Sequence, residues 1–412
     1  MPAFIATIVI GSIHGALIAA VRRAARRLAA CPPAPIPPAA WPPVRILLPF
    51  AGTAAELGPA LDDLAAQEYP DFDLCLAYHA TDEAAGNLAH AWKRERAARP
   101  GPAIRVASAE TARFCGQKNQ NLLAALAVPD AADRVLVFTD ADYRRTPDWL
   151  RQLVEPIADG RAAVASGYYF AEAGDGWRSA LRPVTALLLF LTRQSAALRQ
   201  PWGGATAIPR RLFDELGIAE LWSTNVVDDV ALAERLRQAG VAVEGVNAPA
   251  LRAPARPADF SWGDWFARQL AYLRAIQPAT WAGLGVGLWI LTASCLWMVG
   301  MILRAALQPP SLDALGPAGL ALLDGGLWVA LGLRLHALHP GPGSRRNWLA
   351  AFFAFFWMAP VCHLHTALSR TIRWRGVEYR VGRGGRVLAT SASPERPPAA
   401  MPATARPPPE SA

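Results

Sequence analysis

Cysteine and lysine are scarce in this chain, and acid is in deficit. The five cysteines (Cys31, Cys75, Cys115, Cys295 and Cys362) are odd in number, scattered, and include no C-x-x-C pair. That pattern excludes a disulfide framework and a cysteine-built zinc cluster, and leaves reduced thiols. Lys93 and Lys118 are the only lysines among 41 basic residues, and 33 acidic residues leave a formal net charge of +8. Such a balance excludes a disordered acidic chain. The preference for arginine, with abundant alanine and proline, is that of a GC-rich bacterial genome. The length of 412 residues allows two or three folding units.

Apolar residues make up 53% of the chain and are unevenly spread. Residues 3–21 hold no charged side chain apart from His14, and 19 residues at about 1.5 Å each nearly cross a bilayer core of about 30 Å. The basic cluster Arg22, Arg23, Arg26 and Arg27 follows this run. A cleaved signal peptide places its positive charge first, so the run reads as a membrane anchor whose downstream side is cytoplasmic. The same arginines do not fit a lipoprotein cleavage box at Leu28–Cys31. Residues 1–30 thus form the anchor and its basic flank, and 31–43 a stiff Pro-rich spacer.

From 44 to 258 short apolar runs alternate with helical patterns: strands at 44–49, 72–79, 104–108 and 134–139, helices near 55–66, 83–98 and 117–127. This predicts an α/β domain with a mostly parallel sheet, in which ligands bind beyond the carboxyl ends of the strands. Asp140-Ala141-Asp142 stands at such an end, where two carboxylates can share a divalent cation, Mg²⁺ or Mn²⁺. The second D-x-D, Asp71-Phe72-Asp73, precedes a strand and reads as a solvated turn. Asp82 follows the second strand and is either a nucleotide contact or a helix N-cap. Lys118 opens a helix, where a cation and free N–H groups can meet phosphate. Gly203, Gly204, Ala205 and Thr206 are small enough for a sugar to approach the backbone, and Asp228 and Asp229 open a further helix as caps or as functional carboxylates.

Taken in this order, the residues resemble membrane-bound family 2 glycosyltransferases, and more closely the ceramide glucosyltransferase-like family 21 with its bacterial hopanoid-associated relatives. The resemblance covers about 44–385. It rests on KNQNL (118–122), Asp140, WGGATAIPRRLF, VVDDVALAERL and, most specifically, SRTIRWRGVEYRV (369–381). It implies the GT-A fold of nucleotide-diphospho-sugar transferases. It further implies that Asp82, Lys118 and Asp140 bind the nucleotide sugar, that Asp140 and Asp142 hold the metal, and that Asp229, next to Asp228, is the general base. Gly204, Thr206, Gln269, Trp374 and Arg375 would face the acceptor. Where the family has [QR]-x-x-R-W, this chain reads Gln269-Leu270-Ala271-Tyr272-Leu273, so the Arg-Trp pair is missing.

The last third returns to the membrane. Nine of the 15 tryptophans fall at or after Trp262, a bias suited to membrane interfaces. An amphipathic interfacial helix is predicted within 259–280 and membrane segments within 281–370, at 283–303, 318–338 and 348–368. Three crossings would leave Arg370, Arg373 and Arg375 on the wrong side for the charge rule, so 348–368 is expected to re-enter or to lie in the interface. His363 and His365, without a nearby carboxylate, read as polar lining rather than metal ligands. The segment 371–381 would return to the active site, and the tail 382–412 would be disordered.

The sequence therefore predicts a multi-pass inner-membrane enzyme with a cytoplasmic catalytic domain. It would move one hexose, with inversion, from a nucleotide sugar to a membrane lipid hydroxyl, without a nucleic-acid partner. A processive polysaccharide synthase and a catalytically silent scaffold binding nucleotide sugar or lipid are the competing readings. The first would want an intact [QR]-x-x-R-W and more spanning helices, and the second no paired carboxylates.

Overall fold

The computed structural model describes residues 1–30, 40–53, 57–129, 134–248, 250–257 and 259–392. Most of the spacer and the last twenty residues of the tail lie outside the described residues, as does Cys31. The first helix is α1 (Pro2–Ala29). The α/β domain follows as β1 (Val44–Pro49), α2 (Leu57–Ala65), β2 (Phe72–His79), α3 (Glu83–Ala97), β3 (Ala103–Ala109), α4 (Gln117–Leu126) and β4 (Val135–Thr139). It continues with α5 (Trp149–Ala158), β5 (Val164–Ser166), β6 (Tyr169–Ala171), α6 (Gly176–Thr192), β7 (Ala205–Pro209), α7 (Arg210–Glu215), α8 (Ile218–Ser223), α9 (Asp229–Gln238), β8 (Val243–Gly245) and β9 (Leu251–Ala253). Then come α10 (Trp262–Ile276), α11 (Pro278–Leu307), α12 (Leu312–Leu338), α13 (Arg345–Leu368), β10 (Thr371–Trp374), β11 (Val377–Val381) and β12 (Val387–Ala392).

Seven strands form the central sheet in the order β3-β2-β1-β4-β7-β5-β8. All neighbours are parallel except β7, which runs antiparallel to β4 and β5. Strand β1 is buried along its whole length because helices cover both faces: Ile46 and Leu48 enter one core and Leu47 the other. Chain order reverses between β1 and β4, the topological switch point at which open sheets leave a crevice. The D-x-D follows β4 at that crevice.

Asp73 is not in a solvated turn. It is buried at the opposite end of the strands, near the start of β2, where in-register Arg45 holds it through two bonds of 2.7 and 2.8 Å and Arg105 approaches to 3.3 Å. The arginines hold its carboxyl below the usual range against the opposing effect of burial.

Among the described residues four helices are long and apolar enough to cross a membrane: α1, α11, α12 and α13. Helices α1, α11 and α12 pack on one another. Inside this apolar group His14 of α1 lies 2.8 Å from Asp324 of α12 and 2.7 Å from Ser294 of α11. Helix α13 continues through Pro360, and the Phe356 carbonyl that the proline leaves without an N–H accepts from Thr292 instead. Both ends of α13 return to the α/β side of the molecule. Just before it, Gly341 accepts from Ala173; at its end, Thr366 and Ser369 accept from Arg274 of α10. The helix lies against α6 and α10. The aromatic face of α10 is likewise covered, with Trp262 stacked on Phe266 and bonded to Thr185 of α6. His363 stacks on Trp281 at 4.2 Å, and among the described residues no group of three potential metal ligands forms there or elsewhere.

The expected disorder from 382 does not hold at its start: β12 pairs with β11, adding an ordered third strand to the β10–β11 hairpin. The internal bonds that the apolar helices make also have a testable consequence. His14→Leu should leave Asp324 unpaired in apolar surroundings and cost about 3–5 kcal/mol, while the double variant His14→Leu/Asp324→Leu should recover most of it. Thermal unfolding in detergent is the readout, and a single variant as stable as wild type would show that the pair does not hold the helices.

Candidate active site

The crevice beyond β4 gathers side chains from four separate parts of the chain. Gly116 caps α4 and its amide donates to Asn225, an approach so close that a Cβ would stand 2.4 Å from the Val226 carbonyl. This seats the first turn of α4 beside the loop before α9. Lys118 thereby reaches Asp140 at 2.7 Å and Asp228 at 2.9 Å. Burial alone would depress the lysine's pKa, but Asp140, Asp228 and Asp229 outweigh it and keep the ammonium charged. Asp140 is itself pushed upward by burial, with Lys118 opposing the change.

Asp228 sits at the N-cap position of α9 but makes no capping bond, so the plain cap reading does not describe it. Asp229 accepts the Gly203 amide at 3.2 Å and the Val230 amide at 2.7 Å. Burial first, and Asp228 second, push its carboxyl up to about 6. A carboxylate with that pKa is mostly ionised at neutral pH yet basic enough to accept a proton.

Around this centre the other candidates separate. Asp142 is paired with Arg256 rather than with Lys118. Asp82 caps α3 through Ala85 (3.0 Å) and also accepts the Gly52 amide (2.7 Å), so it ties the turn after β1 to the crevice rim while serving as an N-cap. Gly204 abuts the Trp202 ring, where a Cβ would come within 2.2 Å. Thr206 is turned inward, bonding both the amide and the carbonyl of Trp202. Gln269 bonds back to Trp265 on its own helix, and the structure brings it to none of these carboxylates. Its neighbour Tyr272 is buried instead, in the field of Arg268, Asp229 and Asp228. Trp374 and Arg375 stack at the tip of the β10–β11 hairpin. Arg375 has φ +49° and lies in the field of Asp142 and Asp82.

Three features escape sequence reasoning. Arg145 braces the D-x-D loop from beneath, donating to the Tyr143 and Asp140 carbonyls and to Thr139. Tyr143, Tyr168 and Tyr169 enclose Trp202, which stacks on Tyr169 at 4.9 Å. The run Tyr168-Tyr169-Phe170 is its only signal in the sequence. Arg256 carries none, because its partner Asp142 is 114 residues away.

The residues present fit a divalent ion. Asp140 and Asp142 are carboxylates neutralised by protein cations, and no third ligand joins them among the described residues. A pair of carboxylates completed by substrate phosphates is the usual donor set for Mg²⁺.

Against known proteins, the profile of glycosyl transferase family 21 matches residues 3–387, and the chain belongs to that family. It is a glycosyltransferase. Among solved structures, the mannosyltransferase PcManGT from Pyrobaculum calidifontis, in complex with GDP-Man and Mn²⁺, is similar at TM-score 0.57 and 20% identity. The match covers 88% of this chain and 99% of that one. TarS 1–349 of S. aureus, in complex with UDP-GlcNAc, aligns over 85% of this chain and 100% of its own with TM-score 0.38 and 13% identity. No curated protein matches.

The crowding at Gly203 generates a prediction. A Cβ there would lie 2.4 Å from an Asp228 oxygen and 2.9 Å from the Lys118 nitrogen. Gly203→Ala should weaken Mn²⁺-dependent binding of a nucleoside diphosphate at least tenfold, about 1.4 kcal/mol by calorimetry. Gly58→Ala, in open space on α2, should be silent. Equal affinity for Gly203→Ala and wild type would contradict the packing of this turn against the carboxylates.

Proposed function

We propose that the enzyme transfers a single hexose, with inversion, from a nucleotide sugar, in our reading a UDP-sugar, to the hydroxyl of a membrane lipid. The observation that carries this reading is Asp229: a carboxylate with its pKa raised to about 6, beside the Lys118–Asp140–Asp228 group, in a domain tied to apolar helices. Asp229 removes the proton from the acceptor hydroxyl as that oxygen attacks the anomeric carbon. The bond from that carbon to the nucleoside diphosphate breaks, and the diphosphate leaves with the electron pair. A divalent ion held through Asp140 and Asp142 would supply charge neutralisation to that leaving group. Mn²⁺ in the similar mannosyltransferase supports this choice. Lys118 orients Asp140 and Asp228, and Gly203 positions Asp229 through its amide. Asp82, Trp374 and Arg375 frame the crevice rim, where donor and acceptor would enter.

The membrane explains how a lipid reaches such a site. In our reading α1, α11 and α12 cross the membrane, and α13 lies in the interface, since both of its ends meet the α/β side. The arginines that end α1 would mark the cytoplasmic face of the inner membrane. Arg27 there donates to the Gln194 carbonyl of the domain.

Two measurements bear on this reading. Membranes containing the protein, given radiolabelled UDP- and GDP-hexoses in turn, should yield a labelled lipid identifiable by mass spectrometry. Label that appears only as free sugar or polymer would contradict lipid transfer. Asp229→Asn should then lower the transfer rate by about a hundredfold to ten-thousandfold with donor binding retained. Because the base works ionised, the wild-type rate should fall as pH drops through about 6. A rate that stays flat from pH 8 to about 5 would assign the base elsewhere.

A further inference from the structure

A second concavity lies away from the carboxylates of the crevice. The end of α10, the start of α11 and the β10–β12 sheet enclose a groove of about 620 Å³. Arg274, Arg370, Arg380 and Arg383 line it, and among the described residues no acidic side chain does. Arg274 is spent on the Thr366 and Ser369 carbonyls. The other three are exposed and have no acidic partner among the described residues, whereas Arg373 on the same sheet is matched by Glu378. Like charges gathered in one concavity repel, so the groove is built for an anion.

Its position says which anion. Pro278, the first residue of α11, lies in its wall, and Leu388 on its rim is 60% exposed. Nearby Leu368 ends α13 at 80% exposed. Bare leucines beside arginines, at the level where an apolar helix begins, match the boundary between acyl chains and headgroups. Basic pockets at that boundary bind lipid phosphates.

We propose that this groove holds the phosphate of an anionic membrane phospholipid. The groove adjoins the active site. Gly384 and Arg383 belong to the groove wall, and the adjoining Gly385 packs on Ile276 and Asn225, where a Cβ would stand 2.6 and 2.4 Å away. Its carbonyl accepts from Val226, two residues before Asp228. The groove wall is thus continuous with the contacts that hold the C-terminal sheet on the segment carrying the paired aspartates.

The test uses the full chain in a neutral detergent, titrated with short-chain phosphatidylglycerol, short-chain phosphatidylcholine or inorganic phosphate, and read by native mass spectrometry. Wild type should bind one phosphatidylglycerol saturably and prefer it over phosphatidylcholine. Arg380→Gln/Arg383→Gln should lose at least about tenfold in that affinity. Arg380→Lys/Arg383→Lys should keep most of it, and Arg345→Gln/Arg346→Gln, outside the groove, should keep all of it. Arg370→Gln, on a different segment, should weaken binding by itself and guards against misfolding of the double variant. Equal phosphatidylglycerol affinity in wild type and the glutamine variants would overturn the proposal. So would inorganic phosphate binding as tightly as the lipid, which would make the groove a free-anion site.

Discussion

One ammonium group stands between carboxylates that could not otherwise share a crevice. Lys118 bonds Asp140 from the end of β4 and Asp228 from the head of α9, elements 88 residues apart in the sequence, and its charge also reaches Asp229. Without a central cation, like charges at such spacing would push one another toward the protonated state. With it, Asp140 and Asp228 are drawn together, and Asp229 is held where its raised pKa suits proton transfer. The glycines at 116 and 203 exist for this arrangement. One brings α4 against the Val226 carbonyl, and the other passes directly over the Lys118–Asp228 pair.

The apolar helices are joined to this chemistry rather than appended to it. Helix α10 lies between the α/β domain and the long apolar helices, sharing a core with α6 and α13 on one side and contributing Tyr272 and Ile276 to the region behind Asp228 on the other. The C-terminal sheet closes the same region, with Tyr379 accepting the amide of Gln117, one residue before Lys118. The W-R-G-x-x-Y segment therefore supports the site from both directions: its tyrosine buttresses α4, while its Trp374–Arg375 tip reaches the crevice rim. The backbone of Arg375 adopts φ +49°, unusual for a residue with a side chain. Non-glycine residues are held there only where surrounding contacts enforce it.

Much of this is legible in the sequence, for a physical reason. Strands such as β1 and β2 are buried on both faces, so their apolar runs end where burial ends, and the expected bounds 44–49 and 72–79 are the observed ones. The order of carboxylates at strand ends is visible because the parallel topology dictates where ligands bind. Asp73 misleads because its neutralising partners lie on other strands: a D-x-D looks the same whether water or three arginines surround it. The pairing of Arg256 with Asp142 and the aromatic enclosure of Trp202 are equally non-local. Gln269 matches a motif letter, yet on α10 the residue buried in the field of Asp229 and Asp228 is Tyr272, three positions on. Strand β12 escapes notice because LATSA carries little apolar signal and is ordered only by pairing with β11.

The dependence of the crevice on Lys118 can be measured without any assay of transfer. Lys118→Met keeps the length and apolar stem of the side chain but removes the charge that holds Asp229 below the pKa its burial would impose. In the variant the folded-state carboxyls of Asp140 and Asp229 should titrate further above their unfolded values. Their protonated forms then favour the fold at low pH, and that support is lost as pH rises through the folded pKa. Thermal unfolding followed across pH should show the variant near wild type at about pH 4 and falling steadily behind toward pH 8, by about 1.4 kcal/mol for every tenfold weakening of carboxyl acidity in the fold. A constant offset at every pH, or none, would contradict the account: the carboxylates would then keep their charges without the lysine.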